Sequence, residues 1–272
     1  MAGTRGVKHG DVVLARYTKS GLLDPSFGRR GTVVTDLGSS HGATAVAAAL
    51  QPDGKVVVAG GVLFGAGVNS GLYAVVARFT ASGSLDPTFG RAGKALVKLE
   101  SARTVAIQPD GNIVATGNVG PIRTGDKLAI FRLTRAGRFD PTFGRNGETV
   151  ANFDSNARGL ALQPDGRILV AGRTANSPAR FGVSRFAADG TLDTTFGEGG
   201  VARTAFTSAG GAAAVGVEPD GKIVAGGISG GDFAVVRYGA RGELDRSFGA
   251  GGTVTTAFGP AWPSAPTSCR SE

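Results

Sequence analysis

Gly21-Leu22-Leu23-Asp24-Pro25-Ser26-Phe27-Gly28-Arg29-Arg30-Gly31 decides the fold, because the same cassette returns at residues 83–93, 137–147, 190–200 and 242–252. All five copies read G-x-(L/F)-D-x-(S/T)-F-G-x-x-G, with no insertion or deletion inside any of them. Self-similarity at a period of roughly 50–60 residues marks a repeat architecture, so each stretch has to be read as one of several equivalent parts.

Working outward, each cassette follows a short apolar run. The first is Val12-Val13-Leu14-Ala15-Arg16-Tyr17 and the last is Phe233-Ala234-Val235-Val236-Arg237-Tyr238. Their length, their β-branched and aromatic content and the glycine that soon follows predict strands. Both alternating faces are apolar, which predicts a sheet covered on both sides. A second strand follows the cassette, at 32–36 in the first copy and 253–258 in the last. A third, rich in small residues, lies at 43–50, 104–107, 159–162 and 213–217. It ends in (Q/E)-P-D-G, a hairpin signal in which Pro presets one turn dihedral and Gly accepts positive φ. The turn residues are Asp53-Gly54, Asp110-Gly111, Asp165-Gly166 and Asp220-Gly221. A fourth strand starts at Lys55, Asn112, Arg167 and Lys222.

Four short strands per unit predict an all-β propeller of about five homologous four-stranded units, in preference to a β-solenoid, whose coils are usually shorter than this period. Five cassettes stand against four P-D-G hairpins, so one unit, shared by the termini, is expected to be incomplete. Either a ring with one thin blade closes or the chain belongs to a larger ring. The boundaries read as an N-terminal extension at 1–10, the repeat domain at 11–258 and a Pro/Ser-rich tail at 259–272, which suits neither strand nor helix.

An arginine stands eight residues before every cassette aspartate: Arg16/Asp24, Arg78/Asp86, Arg132/Asp140, Arg185/Asp193 and Arg237/Asp245. An arginine ending an apolar strand needs a partner, because an unpaired buried guanidinium is costly. One structural ion pair per unit is therefore expected, in preference to a metal or acid–base role for the aspartates. Phe27, Phe89, Phe143, Phe196 and Phe248 are the expected anchors between neighbouring blades, each contributing about 2–3 kcal/mol on burial. The P-D-G aspartates offer one carboxylate per turn, too few for a calcium loop.

Charge and composition narrow the function classes. The net charge is +8, but the longest basic run is Arg29-Arg30 and no basic cluster interleaves with aromatics, so nucleic acid is not the expected partner. The single cysteine, Cys269, excludes an intrachain disulfide and a cysteine metal cluster. No apolar run reaches membrane-span length, and the N-terminal residues carry no secretory signal, which reads as cytoplasmic for the chain as written. G-x-S-x-G occurs at 38–42 and 227–231, but both matches join strand to strand, where a hydrolase elbow needs a following helix. Residues 216–222 have Walker spacing but put Ile223 where Ser or Thr is required. His9 and His41 lack an orienting carboxylate. No cofactor motif is present.

The cassette together with Q-P-D-G-K-(I/V)-V-V-A-G resembles the bacterial delta-60 repeat family, a β-propeller repeat of unknown function. The match runs over residues 11–258. The resemblance implies a propeller fold and export or display at the cell surface, and it implies no activity and no catalytic residues. The expected function is a non-catalytic binding or scaffolding module that takes a protein or polysaccharide ligand. The ligand is placed at the rim formed by the variable loops 61–71, 118–127, 173–180 and 228–232. The alternatives are an enzyme with a site assembled from several blades at the channel mouth, and a truncated fragment of a larger exported propeller.

Overall fold

The computed structural model describes residues 2–5, 10–38, 42–64, 71–119, 127–174 and 180–257. Every regular element among them is a β-strand, and neighbouring strands pair antiparallel in chain order. The first blade holds β1 (Ala2–Arg5), β2 (Asp11–Ala15) and β3 (Thr32–Thr35). The second holds β4 (Ala43–Leu50), β5 (Val56–Phe64), β6 (Gly71–Phe79) and β7 (Lys94–Val97). The third opens with β8 (Ala102–Ile107), β9 (Ile113–Val119) and β10 (Lys127–Leu133).

β11 (Glu148–Leu162) then serves two blades. Up to Asp154 it pairs with β10 as the outer strand of the third blade. From Ser155 it pairs with β12 (Ile168–Thr174) as the inner strand of the fourth, which continues with β13 (Phe181–Phe186) and β14 (Val201–Thr204). The fifth blade is β15 (Gly210–Val217), β16 (Ile223–Ser229), β17 (Asp232–Tyr238) and β18 (Thr253–Thr256). The all-β propeller therefore has five blades, and its incomplete unit is the first, with three strands. β18 closes its own sheet, and no strand from the C-terminal end joins the first blade among the described residues. The segment 1–10, set outside the repeat on sequence, supplies β1, in register Ala2 with Leu14 and Arg5 with Asp11.

Four cores lie between successive blades, where both faces of each sheet are apolar. Val12 and Leu14 of the first blade meet Val75, Ala77 and Phe79 of the second. Ala74 and Val76 meet Ala129, Phe131 and Leu133 of the third. Leu128 and Ile130 meet Ile168, Val170 and Phe186 of the fourth, and Phe181 and Val183 meet Ala234, Val236 and Tyr238 of the fifth. Each middle strand thus sends alternate residues to the preceding and the following blade. Inner strands β4, β8, β11 and β15 stand side by side around the axis. Each carries a bulge at the same place, between Ala45/Ala47, Ala102/Thr104, Ala157/Gly159 and Ala212/Ala214. A bulge bends the strand and re-aims the extra residue. The extra residues Val46, Arg103, Arg158 and Ala213 are all exposed.

Candidate functional site

The cassette chemistry repeats closely in all five blades. The arginine Nε donates to Asp Oδ2 at 2.8–2.9 Å in Arg16/Asp24, Arg78/Asp86, Arg132/Asp140, Arg185/Asp193 and Arg237/Asp245. The other carboxylate oxygen, Oδ1, accepts from the Ser or Thr two residues on. The hydroxyl donates at 2.6–2.7 Å and the backbone N–H at 3.0–3.1 Å, which is an Asx turn closed by a side chain. The guanidinium carbon lies 4.6–4.8 Å from the centroid of the cassette Phe ring. Each carboxylate therefore has both oxygens committed, and each guanidinium is sandwiched between a carboxylate and an aromatic face.

The clasp also reaches across to the next blade. Arg16, Arg78, Arg132 and Arg185 donate Nη1 to the backbone oxygens of Ala81, Arg135, Ala188 and Ala240, at 2.5–2.7 Å. Beside them the N–H groups of Gly28, Gly90, Gly144 and Gly197 donate to the oxygens of Ser82, Ala136, Asp189 and Arg241, at 2.7–2.8 Å. Phe27, Phe89, Phe143 and Phe196 are at most 1% exposed beneath these contacts. Phe248, in the last blade, is only half-buried. The spacing of Arg and Asp in sequence pointed to the pair. Nothing in it pointed to the partners of Nη1, which are backbone oxygens roughly one repeat away.

On the same rim lie the P-D-G hairpins. Asp53, Asp110, Asp165 and Asp220 each accept, through Oδ1, the N–H two residues on, at 2.8–3.2 Å. The glycines that follow them lie at φ 79 to 85°. These turns surround the ends of the inner strands, and there a cleft of about 700 Å³ opens between Ile107, Leu162 and Val217 at the mouth of the axis. Gln108, Gln163, Glu218, Arg167 and Arg185 line it. A second cleft of about 350 Å³ continues from it to Gln51, Asp53, Asp110 and Arg135. The Oε1 atoms of Gln51, Gln108 and Gln163 are buried and accept no hydrogen bond. Gln51 and Gln108 are themselves only 7% exposed. Three equivalent blades thus each place a glutamine with an unpartnered, buried amide oxygen along one continuous pair of clefts. In sequence these glutamines are only the first residue of the (Q/E)-P-D-G turn signal, and their alignment as a row is visible only in the fold. Their identity at one repeat position was the available signal.

The opposite rim carries the variable loops, of which only 228–232 lies wholly among the described residues. Gly227–Gly231 falls there on the β16–β17 hairpin, strand to strand, while residues 39–41 of the other serine motif at 38–42, with His9, Cys269 and the tail, lie outside the described residues. A pocket of about 310 Å³ opens at this rim between the fourth and fifth blades, lined by Arg158, Arg173, Ile228 and the backbone of Gly210, Gly211, Gly230 and Gly231. Arg158 is the bulged residue of β11.

Proton affinities follow this division. Burial pushes Asp86 up, but the Thr88 hydroxyl and N–H, with Arg78 and Lys55, outweigh it and hold its carboxyl at about 2. Asp245 is held at about 2 chiefly by the Ser247 hydroxyl. Asp24 is lowered mainly by Ser26. Asp140 and Asp193 are lowered despite burial by Thr142 and Thr195 with their arginines. Three groups are shifted the other way: burial raises Glu148, it raises Tyr238 to about 12 against a 2.7 Å hydrogen bond to Thr204, and the Asp220 carboxylate raises Lys222 on the last P-D-G hairpin. No group of three or more His, Cys, Asp or Glu able to hold a metal occurs among the described residues.

Among solved structures, a protein of unknown function from Dyadobacter fermentans is similar over 92% of this chain and 73% of its own, with 11% identity and a TM-score of 0.55. A gluconolactonase from Xanthomonas campestris is similar over 86% of this chain and 70% of its own, at 15% identity and a TM-score of 0.42. At these identities the likeness is one of fold alone. No curated protein matches the chain. The sequence model of the DUF5122 β-propeller family, a domain of unknown function, matches residues 51–89, 108–143, 163–196 and 218–248. Each match runs from a P-D-G hairpin through the following cassette Phe, and together they cover just over half of the chain, so the protein belongs to the DUF5122 β-propeller family.

Proposed function

We propose that this protein is a non-catalytic binding module that takes a hydroxyl-rich polymer, a polysaccharide, across the axial clefts on the P-D-G rim. The observation that carries the reading is the row of buried, unpartnered Oε1 atoms on Gln51, Gln108 and Gln163. A buried acceptor without a donor costs about 1–3 kcal/mol, and turning the amide toward the cleft lets a sugar hydroxyl supply a neutral donor to it. Repetition from blade to blade suits a ligand that is itself a repeat. The carboxylates around the clefts support binding over acid–base chemistry, because Asp53, Asp165 and Asp220 accept hydrogen bonds within their own hairpins. The delta-60 resemblance, with the display outside the cell that it implies, fits the same reading.

The test uses xylan and dextran as probes in titration calorimetry, with Gln108→Met and Gln163→Met as variants. Methionine fills the same space without the orphaned oxygen. We expect weaker polysaccharide binding with an unchanged or raised melting temperature. Equal binding by the variants, or no binding of either probe by the parent, removes the reading. A second reading places an acidic polymer at the variable rim, as Arg158 and Arg173 are both exposed at the 310 Å³ pocket there. Binding of polygalacturonate that weakens steeply with salt and is lost in Arg158→Ala favours it.

A further inference from the structure

The four junctions between blades are copies of one interface, and the two ends of the array carry its unmatched halves. The forward half, on each blade, is the cassette Phe, the N–H of the glycine after it, and the residue that follows the cassette by two places, apolar in four copies (Val33, Ala95, Ala202 and Val254) and Thr149 in the third, where its hydroxyl donates to Gly190 O. The backward half is the turn entering the next cassette: two carbonyl oxygens, then a glycine packed against the Phe ring. At the junction of the first and second blades, Gly28 N–H and Arg16 Nη1 bind the oxygens of Ser82 and Ala81. A Cβ placed on Gly83 would lie 2.7 Å from Val33, 2.9 Å from Gly28 N and 3.2 Å from Phe27. Gly137, Gly190 and Gly242 meet Phe89, Phe143 and Phe196 in the same manner.

On the fifth blade the forward half is bare among the described residues. Val254 is 37% exposed, where its counterparts Ala202 and Val33 are 3% and 9% and Ala95 and Thr149 are half-buried. Gly249 N–H donates to no acceptor, and Arg237 Nη1 has only Glu218 Oε2, at 3.8 Å. On the first blade the backward half is bare. Among the described residues nothing donates to the oxygens of Lys19 and Ser20, and a Cβ on Gly21 would meet nothing within 4 Å. Tyr17 is 48% exposed, where Phe79, Leu133 and Phe186 are fully buried and Tyr238 is 1% exposed.

We infer that the fifth blade of one molecule docks on the first blade of a second copy of this chain, head to tail, through the same contacts that join its own blades. The partner is specified by chemistry: donors Gly249 N–H and Arg237 Nη1 meet acceptors Ser20 O and Lys19 O, and Phe248 covers Gly21. Such a contact is heterologous, each copy presenting a different surface, so it builds rings or open chains in place of symmetric pairs.

Two variants test this by sedimentation velocity over a wide concentration range. Gly21→Asn blocks the backward half while keeping positive φ, which asparagine tolerates. Val254→Glu puts a charge on the forward half. The parent is expected at twice the monomer mass or more, and each variant alone at monomer mass with a circular dichroism melt like the parent's. Mixed, the two variants are expected to restore one intact interface and give a dimer that grows no further. A parent that stays monomeric at every concentration overturns the inference, because the two faces are then left open or meet within one chain. Variants that associate like the parent overturn it too, and so does a mixture that stays monomeric.

Discussion

At the scale of single residues, the cassette aspartate holds a strand end, a turn and a neighbouring blade at once. Asp140 is 7% exposed and Arg132 9% exposed, so Asp140→Asn removes the charge opposite a buried guanidinium while keeping its shape. We expect a loss of about 3–5 kcal/mol, read as a lowered denaturation midpoint. The pH dependence follows from the sign of the shifts. Asp86 binds its proton at about 2 when folded, against an ordinary 3.8. A lowered folded value gives stability that is complete above the ordinary value and lost as pH falls through the folded one. Thermal melts are therefore expected to be flat above pH 4 and to drop between 3.8 and about 2, with a shallower drop in Asp86→Asn. The Arg–Asp spacing was legible because both partners sit inside one repeat. The Nη1 contacts to Ala81, Arg135, Ala188 and Ala240 were not, because their acceptors are backbone oxygens that any residue type carries.

At the scale of elements, turn chemistry accounts for what could be read. The P-D-G hairpins and the strands on either side of them follow from Pro, Asp and Gly in fixed order. β1 was not legible, since Ala2-Gly3-Thr4-Arg5 has neither alternation nor a turn signal behind it, and only pairing with β2 makes it a strand. The unbroken passage of β11 was equally hidden, because Asn152-Phe153-Asp154-Ser155-Asn156 reads as a polar connection in sequence. One element carries strain that can be removed. The tenth cassette position is left-handed, at φ 56° for Arg30, 51° for Ala92 and 55° for Asn146, and glycine fills it in the last two copies. Alanine in that region costs roughly 1–2 kcal/mol, part of which glycine returns as unfolded-chain entropy. Ala92→Gly is expected to raise stability by about 0.5–1 kcal/mol in urea titration, the reverse of the usual effect of that substitution.

At the scale of the whole molecule, the repeat dictated the kind of fold and the number of units. It did not dictate what happens at the ends, because a sequence of identical joints does not say where the last one finds its mate. Stability in such an array is close to a sum over units and their junctions. Within one molecule, and among the described residues, blades two to four have a neighbour on each side, whereas the first and fifth have one. In the monomeric Val254→Glu variant, native-state hydrogen exchange is therefore expected to be slowest in β6, β10 and β13 and faster in β2 and β17, with the difference narrowed in the associating parent. Equal protection along the array would mean that the ends are covered too. β11 adds a mechanical asymmetry to this picture. At the other joins the chain leaves one sheet before entering the next, but here a single run of backbone is hydrogen-bonded on both sides of the seam. Under tension applied through the termini, the other joins can peel apart one at a time, whereas blades three and four have to yield together. A force trace is then expected to show one step of about double length among single ones, as if the chain carried a rivet near its middle.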